Sequence, residues 1–299
     1  MAKDQRCGYD HAIRAAGAKI IEVGSCEYLN GSMRPIETWE FEAAINERTA
    51  AIALILYASD LKKEQQLEEV AAMARKHNIP VLVDAAGSVP ALVNFKKFTA
   101  LGADLVVYSG GKAIRGPQNT GILCGRSHLV ASVALQQLDL GGFSHMWFPP
   151  PSLIPKEKLL GQPHQGIGRC QKVAKESLVG LLARLRTLTR EKTIDEAKHM
   201  EEKLKRIMAA IEGIPHVRSE IIHPSSGETG EVPTLKIKLD SARFGKDAYQ
   251  VSLELREGDP RVWVNEKDLP DNILVLTAVS LDDELVNVVS QRLREVFTT

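Results

Sequence analysis

The chain has 299 residues, of which 44% are hydrophobic and 25% charged, a composition typical of a globular protein with a sizeable core. Lysine plus arginine and aspartate plus glutamate both number 38, and this zero net charge argues against a dedicated nucleic-acid-binding protein. No run approaches the roughly 20 apolar residues of a membrane span, and the first residues contain no apolar signal segment. Cys7, Cys26, Cys124 and Cys170 lack metal-ligand spacing, so we expect free thiols in a cytoplasmic protein.

The first part of the chain alternates between helical and extended patterns. The apolar run 50–57 (AAIALILY) is typical of a strand buried on both faces. A helical pattern that includes Leu67 and Val70 must end near Asn78, because Pro80 follows. The alternation predicts a parallel sheet wrapped by helices. We predict helices over 9–16, 38–45 and 67–78, and strands over 19–23, 50–57, 81–84, 104–109 and 121–124.

The pattern changes after residue 140. Residues 141–168 are rich in glycine and proline and predict a long loop between domains, of the kind that carries function. Residues 169–212 predict helix, and a last helix is expected after Ser280, whose hydroxyl can cap it. Further strands are predicted over 234–239, 261–265 and 273–277. We predict a large ligand-binding domain over 1–145, a substrate loop and connecting helix over 146–190, and a small α+β domain over 191–299.

Two segments carry side chains suited to chemistry. Asp84 ends the apolar strand Val81–Asp84, and ligands of open α/β sheets bind at the carboxyl ends of strands. An aspartate that merely caps the next turn is the alternative. Lys112 follows another buried strand and lies among glycines, which would allow positive φ angles and close approach to a ligand. A lysine buried there would be a competent Schiff-base nucleophile, whereas a turn with a solvated lysine is the alternative.

Together the two segments fit one cofactor. Pyridoxal phosphate needs a lysine for its aldehyde, an acid for its pyridine nitrogen, and donors for its phosphate. Asp84, Lys112 and Ser109 supply one of each, and the strands before them would be neighbours in a parallel sheet. The sequence therefore predicts a pyridoxal-phosphate site.

The same segments resemble a known family. Residues 80–87 (PVLVDAAG), 101–126 (LGADLVVYSGGKAIRGPQNTGILCGR) and 166–182 (GIGRCQKVAKESLVGLL) resemble the fold-type I pyridoxal-phosphate enzymes related to selenocysteine synthase, the L-seryl-tRNA selenium transferase. Within that family the likeness is greatest to proteins similar to D-glucosaminate-6-phosphate ammonia-lyase. The resemblance implies an aminotransferase-like α/β domain with a smaller α+β domain, assembled as a homodimer or a larger homo-oligomer.

The resemblance also implies roles for individual residues. Asp84 would pair with the pyridine nitrogen, Lys112 would form the Schiff base, and Ser109 would contact the phosphate. Arg115 and Gln118 would line the site or reach across a subunit interface. Arg169 and Lys172 are candidates for binding anionic groups of the substrate, the alternative being the solvated face of a long helix.

Two departures from the family pattern add expectations. Family members usually begin some tens of residues earlier, so we expect the large domain to be incomplete at its N-terminus and to bind the cofactor phosphate weakly. DAAG at 84–87 replaces the DAAA of the ammonia-lyase-like proteins, which leaves the substrate open. The expected activity is that of an ammonia-lyase or dehydratase acting on a small, anionic amino acid or amino sugar acid. The alternatives are a selenium transferase and a catalytically silent binding protein.

Overall fold

The computed structural model describes residues 1–298 except 7, 9, 26–27, 30–31, 35, 57–60, 89–91, 162 and 224–231, and only the backbone at 28–29, 32–33 and 61–62. Contacts between Cα atoms divide the chain into two compact units. The first comprises Met1–Val89 and Val93–Thr187, and the second comprises Leu188–Thr299 with Pro90–Leu92. The predicted three-part division at 145/146 and 190/191 stays a prediction.

The first unit is built around a four-stranded sheet with strand order β3-β4-β5-β6. Strands β3, β4 and β5 run parallel, whereas β6 pairs antiparallel with β5. In chain order its elements are α1 (Asp10–Ala15), β1 (Tyr28–Leu29), β2 (Ser32–Met33), α2 (Thr38–Ala43), β3 (Ile52–Ile55), α3 (Leu61–Lys76), β4 (Val81–Asp84), α4 (Asn94–Ala100), β5 (Leu105–Ser109), β6 (Gly121–Gly125), α5 (Ser127–Gln136) and α6 (Lys175–Thr187).

The core of this unit explains why the apolar runs form strands. Alternate residues of the strands, including Leu54, Val83 and Val106, are buried in one cluster with the apolar face of α3. That face includes Leu67 and Val70, the residues whose spacing predicted the helix. Helix α3 ends at Lys76, and Asn78 takes a left-handed conformation before Pro80, as expected. The prediction that the strands before the two motifs are neighbours is confirmed by the β4–β5 pairing.

Two expectations about this sheet were wrong. Residues 19–23 form only an isolated bridge between Val23 and Ala2, and Ile21 is half exposed, so an apolar run without a partner strand does not become a strand. Strand β6 is antiparallel, because only the short segment from Gly110 to Thr120 separates it from β5, and a parallel crossover needs a dozen or more residues.

The second unit has a three-stranded antiparallel sheet with order β7-β8-β9 and its own buried core. The predicted strand over 261–265 is wrong: only Asn265 bridges to Val275, although the Val262 side chain enters the core. The sequence analysis missed β7. The elements are α7 (Arg190–Ala210), β7 (Val217–Ile222), β8 (Thr234–Leu239), α8 (Ser241–Phe244), α9 (Ala248–Glu257), β9 (Ile273–Thr277) and α10 (Asp283–Thr298).

The helical prediction over 169–212 needs correction at both the start and the middle. Arg169 belongs to a short 3-10 helix, Ile167–Gln171, and Lys172 follows it, so neither lies on a long helix. Helix α6 ends at Thr187, and Thr189 begins α7 by accepting a hydrogen bond from the Lys192 amide at 3.3 Å. Within 141–168, leaving aside residue 162, which is not described, the helices are all short 3-10 helices, as the loop prediction expected. Across the described part of the chain, no helix combines the length and apolar character needed to cross a membrane.

Candidate active site

The carboxyl ends of the parallel strands form one edge of the sheet, and both predicted motifs lie there. Asp84 is the last residue of β4 and Ser109 is the last residue of β5. Asp84 is in register with Val107, so Ser109 extends one step further along the same face. Gly121, the first residue of the antiparallel β6, lies beside Ser109. The topology therefore brings an acid and a hydroxyl to one face of one edge.

A cavity of about 390 Å³ opens on this face. Its volume lies within the range of small-molecule sites, and its walls are mainly apolar. The polar side chains that line it belong to Asp84, Ser109, Gln118 and Thr120. An apolar pocket with a few convergent polar groups is typical of a small-molecule binding site.

The two end-of-strand side chains keep hydrogen-bonding capacity for a ligand. Oδ1 of Asp84 accepts a hydrogen bond from the Ala86 amide at 2.9 Å, which fixes the carboxylate in a local turn. Its Oδ2 has no hydrogen-bond partner among the residues that the structure describes. Oγ of Ser109 accepts from the Gly111 amide at 3.3 Å, which leaves the hydroxyl hydrogen able to donate.

Lys112 lies in a closed loop between β5 and β6, which we define as residues 110–120 and call the lysine loop. The Gly110 amide donates to the Thr120 carbonyl at 2.9 Å, and the Gly116 amide donates to the Gly110 carbonyl at 2.8 Å. The Lys112 side chain is exposed and makes no hydrogen bond or ion pair with any described residue. The expected burial of Lys112 was therefore wrong: the loop carries the lysine outward from a buried strand.

The glycines of the lysine loop serve packing rather than unusual backbone angles. Gly110, Gly111 and Gly116 have no positive φ, and the left-handed residue is Arg115, with φ 62°. A Cβ on Gly110 would lie 2.1 Å from Thr120 Oγ1, and a Cβ on Gly111 would lie 2.4 Å from Gln118 Cα. The expectation of positive φ at the glycines was wrong, because close contacts inside the loop, and not a twisted backbone, require them.

The remaining predicted residues divide into two groups. Gln118 lines the cavity with Asp84 and Ser109. Arg115, Arg169 and Lys172, all of which the structure describes, are not part of that lining. Arg169 forms an ion pair with Asp139 at 2.9 Å on the surface, so its guanidinium is already engaged.

The sequence analysis missed Thr120. This buried residue lines the cavity, and its Oγ1 donates to the Pro117 carbonyl at 2.6 Å. A hairpin prediction for β5 and β6 would have found it, because Thr120 immediately precedes the strand that returns to the same edge. Tyr108 lies beneath the site, where its hydroxyl donates to the Asn94 carbonyl at 2.6 Å. Burial raises the pKa of the Tyr108 phenol, which keeps that donor protonated.

Comparison with protein families identifies the fold and the chemistry class. The model of the aminotransferase class-V family matches residues 26–226, more than half of the chain. The chain belongs to the aminotransferase class-V family. Aminotransferase class-V proteins depend on pyridoxal phosphate, which confirms at the level of the family the cofactor expected from the sequence.

Three relatives illustrate the range of proteins to which the chain is similar. The chain is 28% identical over 286 residues to 5'-C-glycyluridine monooxygenase-decarboxylase of Streptomyces sp, with 95% of the chain and 61% of that protein covered. It is 26% identical over 286 residues to D-glucosaminate-6-phosphate ammonia lyase of Salmonella typhimurium, with 95% and 65% covered. It is 24% identical over 281 residues to L-seryl-tRNA(Sec) selenium transferase of Aquifex aeolicus, with 84% and 53% covered. The resemblance read from the motifs is confirmed, and the chain spans less than two thirds of each relative.

Solved structures agree on the fold. A D-glucosaminate-6-phosphate ammonia-lyase structure matches with a TM-score of 0.60 at 23% identity, covering 97% of this chain and 66% of the other. A Burkholderia pseudomallei sphingosine-1-phosphate lyase matches with a TM-score of 0.55 at 16% identity, covering 99% and 62%. These matches confirm the predicted aminotransferase-like fold.

Proposed function

We propose that this chain carries the catalytic residues of a pyridoxal-phosphate-dependent lyase, of the ammonia-lyase or dehydratase type. The substrate would be a small, anionic amino acid or amino sugar acid. The observation that carries the proposal is the cavity lined by both Asp84 and Ser109, with Lys112 three residues beyond Ser109. The Salmonella relative supports the substrate class, because it is named for ammonia release from a phosphorylated amino sugar acid.

The residues present fit the cofactor. A pyridine ring suits the apolar cavity wall, and the free Oδ2 of Asp84 suits a protonated ring nitrogen. The Ser109 hydroxyl and the Gln118 amide are donors for a phosphate. The hydrogen bond from Thr120 to the Pro117 carbonyl fixes the end of the lysine loop next to Gln118. The Lys112 side chain is exposed and has no hydrogen-bond or ion-pair partner among the described residues, so its neutral amine is available to form a covalent link to an aldehyde.

Each residue then has a defined task. When bound, pyridoxal phosphate supplies an electron sink for the negative charge that develops on the substrate α carbon. The Asp84 carboxylate holds the proton on the ring nitrogen. Nζ of Lys112 would hold the cofactor at rest and, with substrate bound, would accept the proton from the substrate α carbon. In the net reaction, the β-hydroxyl would leave as water, with the proton returned from Nζ of Lys112, and hydrolysis by one water would release ammonia and give a keto acid.

The roles of the cationic residues and the assembly are also proposals. Arg115 is placed on the lysine loop, where it would meet an anionic group of the substrate or a neighbouring subunit. Arg169 and Lys172 would contribute only by leaving their present positions, and Arg169 would also have to break its ion pair with Asp139. We propose a homodimer or larger homo-oligomer in the cytoplasm, where Cys124 and Cys170 would stay as the free thiols that the structure contains.

The proposal is tested by trapping the cofactor. The purified chain is incubated with pyridoxal phosphate, reduced with borohydride and digested, and the pyridoxyl group is mapped by mass spectrometry. We expect the label on Lys112, and we expect Lys112→Ala to lose both the label and the visible absorption band. Lys175→Ala, at an exposed lysine of α6, is the matched control and should retain both. A label that persists in Lys112→Ala contradicts the assignment, and a chain that acquires no band supports the silent binding protein.

The reaction type is tested on the unreduced protein after incubation with pyridoxal phosphate. Production of a keto acid and ammonia from 6-phosphorylated amino sugar acids would support the lyase. The Streptomyces relative provides a specific second candidate, because its name includes a decarboxylase activity and its identity to this chain is similarly high. Release of carbon dioxide without ammonia would favour that candidate, and transfer to a seryl-tRNA would favour the selenium transferase.

A further inference from the structure

One face of helix α6 packs directly on the lysine loop. Leu181 Cδ1 lies 3.0 Å from the position of a Cβ on Gly110 and 3.4 Å from that of a Cβ on Gly116. A Cβ on Gly180 would approach Pro117 Cγ to 2.9 Å. The helix therefore touches both the beginning and the end of the turn that carries Lys112, with no room for larger residues at these glycines.

Arg184 adds a polar contact on the same face of α6. Its Nε donates to the carbonyl oxygen of Ile114 at 2.6 Å, which is a short hydrogen bond from a charged donor. Ile114 is fully buried, so its carbonyl needs a partner in place of water. The next residue is Arg115, whose left-handed backbone is disfavoured for a residue with a side chain.

The hydrogen bond between Arg184 and Ile114 is made within the same turn that contains Lys112. The carbonyl of Lys112 accepts from the Arg115 amide at 2.8 Å, so Lys112, Ile114 and Arg115 share one turn. The ammonium of Lys112 makes no contact with any described residue that could fix it. The backbone of the loop therefore determines the position from which the Lys112 side chain projects.

We propose that Arg184 is a positioning residue for Lys112: its guanidinium holds the Ile114 carbonyl, and thereby holds the lysine loop in the turn from which Lys112 projects. The proposal rests on the proposed function for the role of Lys112. The bracing of the loop by Arg184 is a property of the unliganded chain, and it can be measured separately.

The first experiment measures hydrogen exchange of the chain without cofactor. Peptides that span 109–120 should exchange about tenfold faster in Arg184→Gln, because a charge-assisted hydrogen bond to a buried carbonyl is lost. Arg184→Lys keeps the charge but not the planar guanidinium, and we expect an increase of about threefold. Arg186→Met, at an exposed position two residues further along α6, is the control and should match the wild type.

The second experiment measures how fast pyridoxal phosphate labels Lys112, by the absorption band and by borohydride trapping. Labelling should slow about tenfold in Arg184→Gln and recover partly in Arg184→Lys, in proportion to the exchange rates. A merely structural role would change thermal stability without this graded response at one lysine. Wild-type labelling and wild-type exchange of 109–120 in Arg184→Gln would overturn the proposal, as would faster exchange spread evenly over the first unit.

The two proposals fail in different ways. If the wild-type chain is not labelled at Lys112, the proposed function is wrong, and the exchange data still decide whether Arg184 braces the loop. If Arg184→Gln does not fold, Arg184→Lys carries the test. Faster exchange confined to 109–120 in that variant supports the proposal, and wild-type exchange there contradicts it.

Discussion

At the scale of single residues, the site depends on side chains that are held by their own local turns. Asp84 binds the Ala86 amide, and Ser109 binds the Gly111 amide, each two residues ahead. Such local bonds orient a side chain without help from distant elements. A short motif in the sequence can therefore indicate where such a side chain lies, even at low overall identity to relatives.

The role of Asp84 can be tested by removing its charge and keeping its shape. In Asp84→Asn the side-chain oxygen can still accept from the Ala86 amide, but a neutral amide cannot hold a proton on a ring nitrogen. We expect labelling of Lys112 to persist while turnover falls by about 100-fold or more. Asp195→Asn, at an exposed position of α7, should leave both unchanged. Turnover at the wild-type rate in Asp84→Asn would exclude the role.

At the scale of elements, helix ends were harder to predict than helix interiors. The last helix was expected to be capped by Ser280, but α10 begins at Asp283, and Oδ1 of Asp282 accepts from the Leu285 amide at 2.8 Å. Ser280 lies in the preceding turn and is exposed. Serine and aspartate are both good N-caps, and in the structure Asp282, not Ser280, holds this position.

The assignment of Asp282 as the N-cap of α10 leads to a quantitative prediction. Asp282→Ala should lower the free energy of unfolding by about 1 kcal/mol, because the first turn of α10 loses both the hydrogen bond and a favourable charge. Ser280→Ala is the matched control and should change it by no more than about 0.5 kcal/mol. Urea denaturation followed by circular dichroism measures both variants. A larger effect from Ser280→Ala than from Asp282→Ala would show that the cap is misassigned.

At the scale of the whole molecule, the chain has two separate clusters of buried apolar residues. Leu54 lies in the cluster of the first unit and Leu235 in the cluster of the second, and both are almost fully buried. The first cluster supports the sheet edge with the cavity, and the second supports the antiparallel sheet. Each unit therefore has a core of its own, as an independently stabilised domain requires.

Separate cores predict separate responses to cavity mutations. Leu235→Ala should destabilise the second unit by about 2–5 kcal/mol, seen as faster hydrogen exchange in peptides from 188–299. Leu54→Ala, the matched variant in the first core, should act on peptides of the first unit and weaken labelling of Lys112. Equal acceleration throughout the chain in both variants would mean that the two units unfold as one.

The sequence by itself determined the features that depend on local pattern. Apolar runs ending in Asp84 and Ser109 predicted β4 and β5, and helical spacing predicted α3, because periodicity reports which face of an element is buried. Asp84, Ser109 and Lys112 predicted the cofactor, the segments around them resembled the family, and the family match confirms both at the level of the family. These inferences survive low identity because they rest on a few residues at fixed spacing.

Tertiary structure decided what depends on partners distant in sequence. Residues 19–23 had the composition of a strand but formed only an isolated bridge, whereas β6 paired antiparallel because its connection was short. Lys112 is exposed on a loop in which contacts with Thr120 and Gln118 leave no room for a Cβ on Gly110 or Gly111. Arg184, 70 positions away from Ile114 in the chain, donates a hydrogen bond to that loop. Strand pairing, burial and contacts between segments are set by packing of the whole unit, and that packing is not encoded in any local window of sequence.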